Sequence, residues 1–264
     1  MMISSSDGPR PIPVIGMGTA TTIAARDQVK AAILQAIKVG YRHFDTAALY
    51  QTEKPIGEAI GEALRMGLIK SRTELFITTK LSFLSPPSCG EFGARVRRLV
   101  SDTLAAKVKP RAVQVSVPKE CVAAIDIKGV WEAMEDFQDL KLTKTIGVSN
   151  FSCRKIQEII SFARIPPDQV EMNPLWQQNE LNQFCKANSI LLTAYSPLGA
   201  FDNPWGHNHV MESYVLQDIS KSKGKTIAQN TRTVLPSILL TLGQDLRDVN
   251  LGALVKKGDV TYLG

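Results

Sequence analysis

Cysteine, histidine and aromatic residues are scarce in this chain: four Cys, three His and 6% Phe, Trp and Tyr among 264 residues. Cys89, Cys121, Cys153 and Cys185 are too few and too scattered for a disulfide scaffold, and none forms the close Cys-x-x-Cys pair of a structural zinc site. Their flanking residues share nothing, so the even spacing marks no repeat. They read as reduced thiols of a cytoplasmic protein. Residues 1–10 lack the apolar core of a secretory signal. The apolar stretch Thr233–Leu242 is too short to span a bilayer and contains Pro236, so no membrane partner is expected.

Common signatures are missing as well. Gly16-Met17-Gly18 opens like a dinucleotide fingerprint, but Thr21 stands where the third glycine belongs. There is no phosphate-cradling Gly-x-x-x-x-Gly-Lys, no Gly-x-Ser-x-Gly and no His-Glu-x-x-His. His207-Asn208-His209 with Glu212 offers too few ligands, so no metal is expected. The net charge is +6, and residues 81–125 hold seven Lys/Arg against three Asp/Glu. The basic run over residues 95–111 has no interleaved aromatic, with only Phe92 at its edge to serve as a stacking platform, so nucleic acid is not an expected partner.

What is present is an alternation of strands and helices. Val14–Gly16, His43–Asp45, Leu75–Thr79, Val113–Val117, Thr145–Val148, Gln169–Met172 and Ile190–Tyr195 read as short strands. Between them, Arg26–Val39 carries a stripe of Val29, Ala32, Ile33, Ala36 and Ile37 and is closed by Gly40. Glu53–Met66 carries Ile56, Ala59, Ile60, Ala63 and Leu64 and stops at Gly67. Val130–Leu140, Ser152–Phe162 with Ser152 as N-cap, Glu180–Asn188, Val210–Lys223 and Thr226–Gln229 also read as helices. Repeated βα units imply an α/β fold with parallel strands, either a (β/α)₈ barrel or a doubly wound sheet. Residues 81–125 and 230–264 break this rhythm within what reads as one domain over 1–264.

Three polar residues fall at or just beyond strand ends: Asp45, Tyr50 and Lys80. In a βα barrel such ends line the mouth where chemistry occurs. A carboxylate holding an ammonium beside a phenol makes a proton-donating unit, because the ammonium stabilises the phenolate that remains. Spacing alone equally allows Asp45 to cap a turn, Tyr50 to pack at a helix start and Lys80 to lie in solvent.

Gly16–Thr19, Gly40–Ala47 with Tyr50, Phe76–Lys80, Lys144–Phe151, Gln169–Pro174 and Thr193–Gly199 together, in this order, resemble the aldo-keto reductases. The detail is similar to the plant branch of chalcone-reductase-like and codeinone-reductase-like enzymes. The similarity covers 14–80 and 126–229, about two-thirds of the chain. It implies a (β/α)₈ TIM barrel that takes NADPH without a Rossmann motif and reduces a ketone or aldehyde to an alcohol, acting as a monomer on a small carbonyl compound. By the same resemblance Tyr50 is the general acid, Lys80 supports it and Asp45 pairs with Lys80. Gly18, Thr19 and Asp45 would border the cofactor. Ser149, Asn150 and Gln169 would hydrogen-bond its carboxamide, Tyr195 would stack on the ring, and Ser196 and Leu198 would follow along it.

Two departures stand against this pattern. The family carries a catalytic His after the strand that follows the Lys strand, yet no His lies between Lys80 and Asp126. From Asn230 onward the family's basic cofactor segment and substrate-covering loop find no counterpart, and Lys256-Lys257 is too weak a match to carry over. The expectation is therefore an incomplete barrel, with one strand lost near 81–125 and a divergent end. The alternative function is a catalytically impaired relative that only binds cofactor or a small molecule.

Overall fold

The computed structural model describes residues 2–3, 12–20, 28–82, 112–116, 126–164, 178–198, 209–234 and 239–242. A two-residue pair, β1 (Met2–Ile3) and β2 (Ile12–Pro13), is antiparallel. The main sheet comprises β3 (Ile15–Gly18), β4 (His43–Asp45), β5 (Phe76–Ser82), β6 (Ala112–Ser116), β7 (Thr145–Ser149), β8 (Thr193–Tyr195) and β9 (Leu239–Leu242). Its seven strands run in the order β7-β6-β5-β4-β3-β9-β8, and every pairing is parallel. Parallel neighbours cannot be joined by a hairpin, which is why helices separate them in sequence.

The helical stripes read from the sequence become the outer core. Helix α1 (Val29–Lys38) buries Val29, Ile33, Ala36 and Ile37. Helix α2 (Glu53–Arg65) buries Ile56, Ala59, Ile60 and Ala63, while Leu64 is exposed. These side chains pack with Met17, Phe44 and Ile77 from the strands. Both helices end on a glycine in the left-handed region, Gly40 at φ 102° and Gly67 at φ 70°. In each, the next residue's N–H closes back on the helix, Tyr41 to Ala36 O and Leu68 to Ala63 O, both at 2.9 Å.

A second core surrounds Trp131 and Met134 of α3 (Ile127–Asp139). It takes in Ile146 and Val148 of β7, Ile156 and Ile159 of α4 (Cys153–Phe162), Leu181 and Cys185 of α5 (Asn179–Ala187), and Ala194 of β8. Asp126 caps α3 by accepting from the Gly129 N–H at 2.9 Å. Ser152 does stand at the N-cap of α4, but its hydroxyl makes no capping bond. The single helix expected over Val210–Lys223 is two, α6 (His209–Glu212) and α7 (Tyr214–Lys223), because Ser213 is extended and caps the second.

Since Met17, Phe44, Ile77, Val148 and Ala194 face the helices, period-two alternation turns Gly16, Gly18, His43, Asp45, Thr78, Lys80, Ser149 and Tyr195 to the opposite, inner face. A flat sheet of this size would hold its outermost strands about 29 Å apart. Here the two outer strands meet: Tyr195, ending β8, donates its hydroxyl proton to Asn150 Oδ1, just past β7, at 2.6 Å. The sheet is therefore strongly curved.

Three expectations need correction. Lys80 does not end its strand, which continues to Ser82. The sheet position between β5 and β7 is filled by β6, so no strand is missing there. The helix expected over Thr226–Gln229 does not stop at Gln229: α8 (Ile227–Val234) runs on to Val234, and β9 inserts between β3 and β8. Residues 169–172, the remaining expected strand, lie outside the described residues.

Candidate active site

Strand register sets the site. Gly18, Asp45 and Thr78 share one level across β3, β4 and β5, and Lys80 stands one inner position higher. Its side chain can therefore lean back over Asp45. The Lys80 ammonium donates to Asp45 Oδ1 and to the Thr46 carbonyl, the latter at 3.1 Å. Both members of the pair are only 7% exposed. The ammonium also lies 5.3 Å from the centre of the Tyr50 ring.

Burial by itself would push the Lys80 ammonium towards neutrality. The Asp45 carboxylate and the Tyr50 oxygen outweigh it, and the Lys80 pKa is raised above its usual 10.5. A permanent positive charge thus sits beside a phenol in a largely enclosed cleft. Such an arrangement favours any step in which the phenol gives up a proton.

Tyr50 is carried by a 3-10 turn, Ala48–Tyr50, that follows β4 directly. The turn ends at Gln51, whose φ of 57° lies in the left-handed region, and Thr52 then leads into α2. A buried hydroxyl chain supports it: Thr52 bonds Thr19 at 2.8 Å and Thr46 at 2.9 Å. Thr79, facing outward from β5, donates to Glu53 Oε1 at 2.7 Å. This threonine network is not legible along the chain, since its partners lie up to 33 residues apart.

Ser149 is buried at the end of β7, level with Ser116 and Ser82. Asn150 follows in the left-handed region at φ 66°, its carboxamide exposed and bonded to Tyr195. Tyr195 and Leu198 are half-buried, as is Ser196, which has φ 47°. Gly18 is buried on the inner face, and the Thr19 hydroxyl is engaged with Thr52. Gln169 lies outside the described residues. The structure thus gathers Asp45, Tyr50 and Lys80 into one cluster, and Ser149, Asn150 and Tyr195 at the ends of the sheet's outer strands. A hydroxyl, a carboxamide and an aromatic ring at one mouth match the donors and the flat face that a nicotinamide requires.

His43 is committed elsewhere. It is buried one level below Asp45, with Nδ1 3.3 Å from Pro13 O and Nε2 3.3 Å from Thr78 Oγ1. Burial, only partly offset by Asp45, lowers its pKa to about 4. Among the described residues no group of His, Cys, Asp and Glu could hold a metal ion, and no helix is long and apolar enough to cross a membrane.

A parallel sheet packed against helices, with a Lys–Asp pair on its inner face beside the Tyr50 turn, defines an α/β protein with a proton-donating site, and comparison with known proteins gives the family. The Aldo/keto reductase family model matches residues 14–202. The (1S)-1,7-diacetoxy-luvungin A aldo-keto reductase of Citrus sinensis is 48% identical over 231 residues, 83% of this chain and 72% of that protein. The NADPH-dependent codeinone reductase 1-4 of Papaver somniferum is 47% identical over 241 residues, 86% and 75%. Deoxymugineic acid synthase 1 of Zea mays is 46% identical over 241 residues, 86% and 76%. The chain belongs to the aldo/keto reductase family and stands with its plant members. That family is built on a (β/α)₈ barrel, with which the curved parallel sheet agrees.

Proposed function

We propose that this chain reduces a ketone or aldehyde to an alcohol with NADPH, using Tyr50 as general acid. The observation that carries the reading is the Lys80 ammonium held on Asp45 and standing 5.3 Å from the centre of the Tyr50 ring. When bound, NADPH supplies the hydride for the carbonyl carbon. Tyr50 donates its proton to the carbonyl oxygen, Lys80 stabilises the phenolate left behind, and Asp45 keeps the ammonium aimed. Ser149, Asn150 and Gln169 hydrogen-bond the nicotinamide carboxamide. Tyr195 offers its ring face, which requires its hydroxyl to yield Asn150. Gly18, Thr19, Ser196 and Leu198 border the rest of the cofactor.

The fold we propose is one barrel domain over 1–264, with 81–125 and 230–264 as its divergent stretches, acting as a cytoplasmic monomer on a small carbonyl compound. Neither a metal, nucleic acid nor a membrane enters this reading. Its test is NADPH consumption with a reactive aldehyde such as a nitrobenzaldehyde. Tyr50→Phe is expected to lower turnover about 10²–10⁴-fold without loss of fold; a variant as fast as the parent overturns the assignment.

One observation favours the second reading, an impaired relative that binds cofactor alone. No histidine lies between Lys80 and Asp126, and His43 is held below Asp45 by Pro13 and Thr78. Losing a donor to the substrate oxygen removes about 3–4 kcal/mol of transition-state stabilisation. Quenching of protein fluorescence by NADPH with no turnover would select this alternative.

A further inference from the structure

Thr52 does not behave as its position dictates. It stands at the N-cap of α2, where a threonine hydroxyl ordinarily accepts from an N–H of the first helical turn and adds about 1 kcal/mol. Here the cap bond is absent. The hydroxyl is turned inward, fully buried, onto Thr19 Oγ1 at 2.8 Å and Thr46 Oγ1 at 2.9 Å, both fully buried themselves. Those partners flank the charged pair. The Thr19 N–H donates to the Asp45 carbonyl at 2.9 Å, and the Thr46 carbonyl accepts from the Lys80 ammonium at 3.1 Å.

Thr52 thereby joins three pieces of chain at one point: the end of β3, the end of β4 and the turn carrying Tyr50 two residues earlier. We infer that Thr52 is a positioning residue, a buried pin that fixes the Tyr50 turn against the Asp45–Lys80 pair. It touches none of the reacting atoms. Within the turn, the Tyr50 and Gln51 amides donate to Ala47 O and Ala48 O, and the Thr52 hydroxyl ties its end to β3 and β4. The inference rests on the reductase reading only for its effect on rate; the placement of Tyr50 can be read without turnover.

The test compares the parent with Thr52→Val, which keeps the shape and removes both bonds, and Thr52→Ser, which restores the hydroxyl. Thr52→Ala serves as a second deletion should the valine variant fold poorly. Tyrosine labelled with carbon-13 at the ring Cζ reports each of the five tyrosines, with Tyr50 assigned by its loss in Tyr50→Phe. The Tyr50 resonance is expected to move or broaden in Thr52→Val and to return in Thr52→Ser, while the other resonances hold still. In turnover assays kcat falls about ten- to a hundredfold with KM nearly unchanged, and serine rescues it. A Tyr50 resonance unmoved by Thr52→Val and Thr52→Ala overturns the inference. A moved resonance in a parent that shows no turnover upholds it and sinks the reductase reading instead.

Discussion

At the scale of single residues, the Asp45–Lys80 pair and His43 lie on one inner face but have opposite electrostatics. Burying an ion costs several kcal/mol, so a buried pair is held for what it does rather than for stability. Asp45→Ala, which strands the ammonium, is expected to lower unfolding free energy by about 3–5 kcal/mol. Replacing both members with Leu and Met should recover most of that loss in urea titrations and leave no activity; a double variant as unstable as the single one contradicts this. His43 instead stays neutral, its pKa lowered from 6.5 to about 4 chiefly by burial. Between those values the unfolded chain binds the proton and the folded chain does not. Stability attributable to His43 is therefore complete above pH 6.5 and falls as pH drops towards 4, by on the order of 3 kcal/mol. Urea midpoints measured across that interval should decline in the parent and decline less steeply in His43→Gln.

Among the elements, β3 shows how closely backbone and side chain are matched. A Cβ on Gly16 would meet the His43 ring at 2.9 Å. The ring is enclosed by Pro13, Thr78 and an edge-on contact to Phe76 at 5.0 Å, so it has no room to retreat. Gly16→Ala is expected to destabilise the protein by about 1–3 kcal/mol, measured by thermal or urea unfolding. Most elements were legible in the sequence for a plain reason. The stripes of α1 and α2 and their closing glycines obey local rules, and β4 and β7 needed only a shift of a residue at most. Leu239–Leu242 was not legible, because four residues without clear alternation carry too little pattern and Pro236 nearby argues for a break. Nor was the division at Ser213, where the apolar pattern runs on through a local cap.

For the whole molecule, the feature that matters is curvature. Tyr195 and Asn150 sit on opposite ends of the strand order yet share a hydrogen bond of 2.6 Å. Being solvent-exposed, the bond is worth about 0.5–1.5 kcal/mol. Tyr195→Phe should lower stability by no more than that, as read in urea, while leaving the far-ultraviolet circular dichroism unchanged. A loss of several kcal/mol would mean that this one contact holds the sheet's ends together unaided. The same curvature brings Ser149 and Asn150 opposite Tyr195, a juxtaposition 45 residues apart in sequence.

By itself, the sequence determined the alternating elements, the family and the identity of Asp45, Tyr50 and Lys80 as the residues to watch, because periodicity, caps and motifs are local properties. It left open whether that lysine met solvent or the phenol. Only the tertiary structure decided this, through strand register: placing Lys80 one level above Asp45 on the inner face sets its charge, among the described residues, on the carboxylate and the Thr46 carbonyl and beside the Tyr50 ring. The threonine chain that pins the turn is likewise invisible in sequence, since hydroxyls find partners by proximity in space, and nothing in one residue's neighbours along the chain records it.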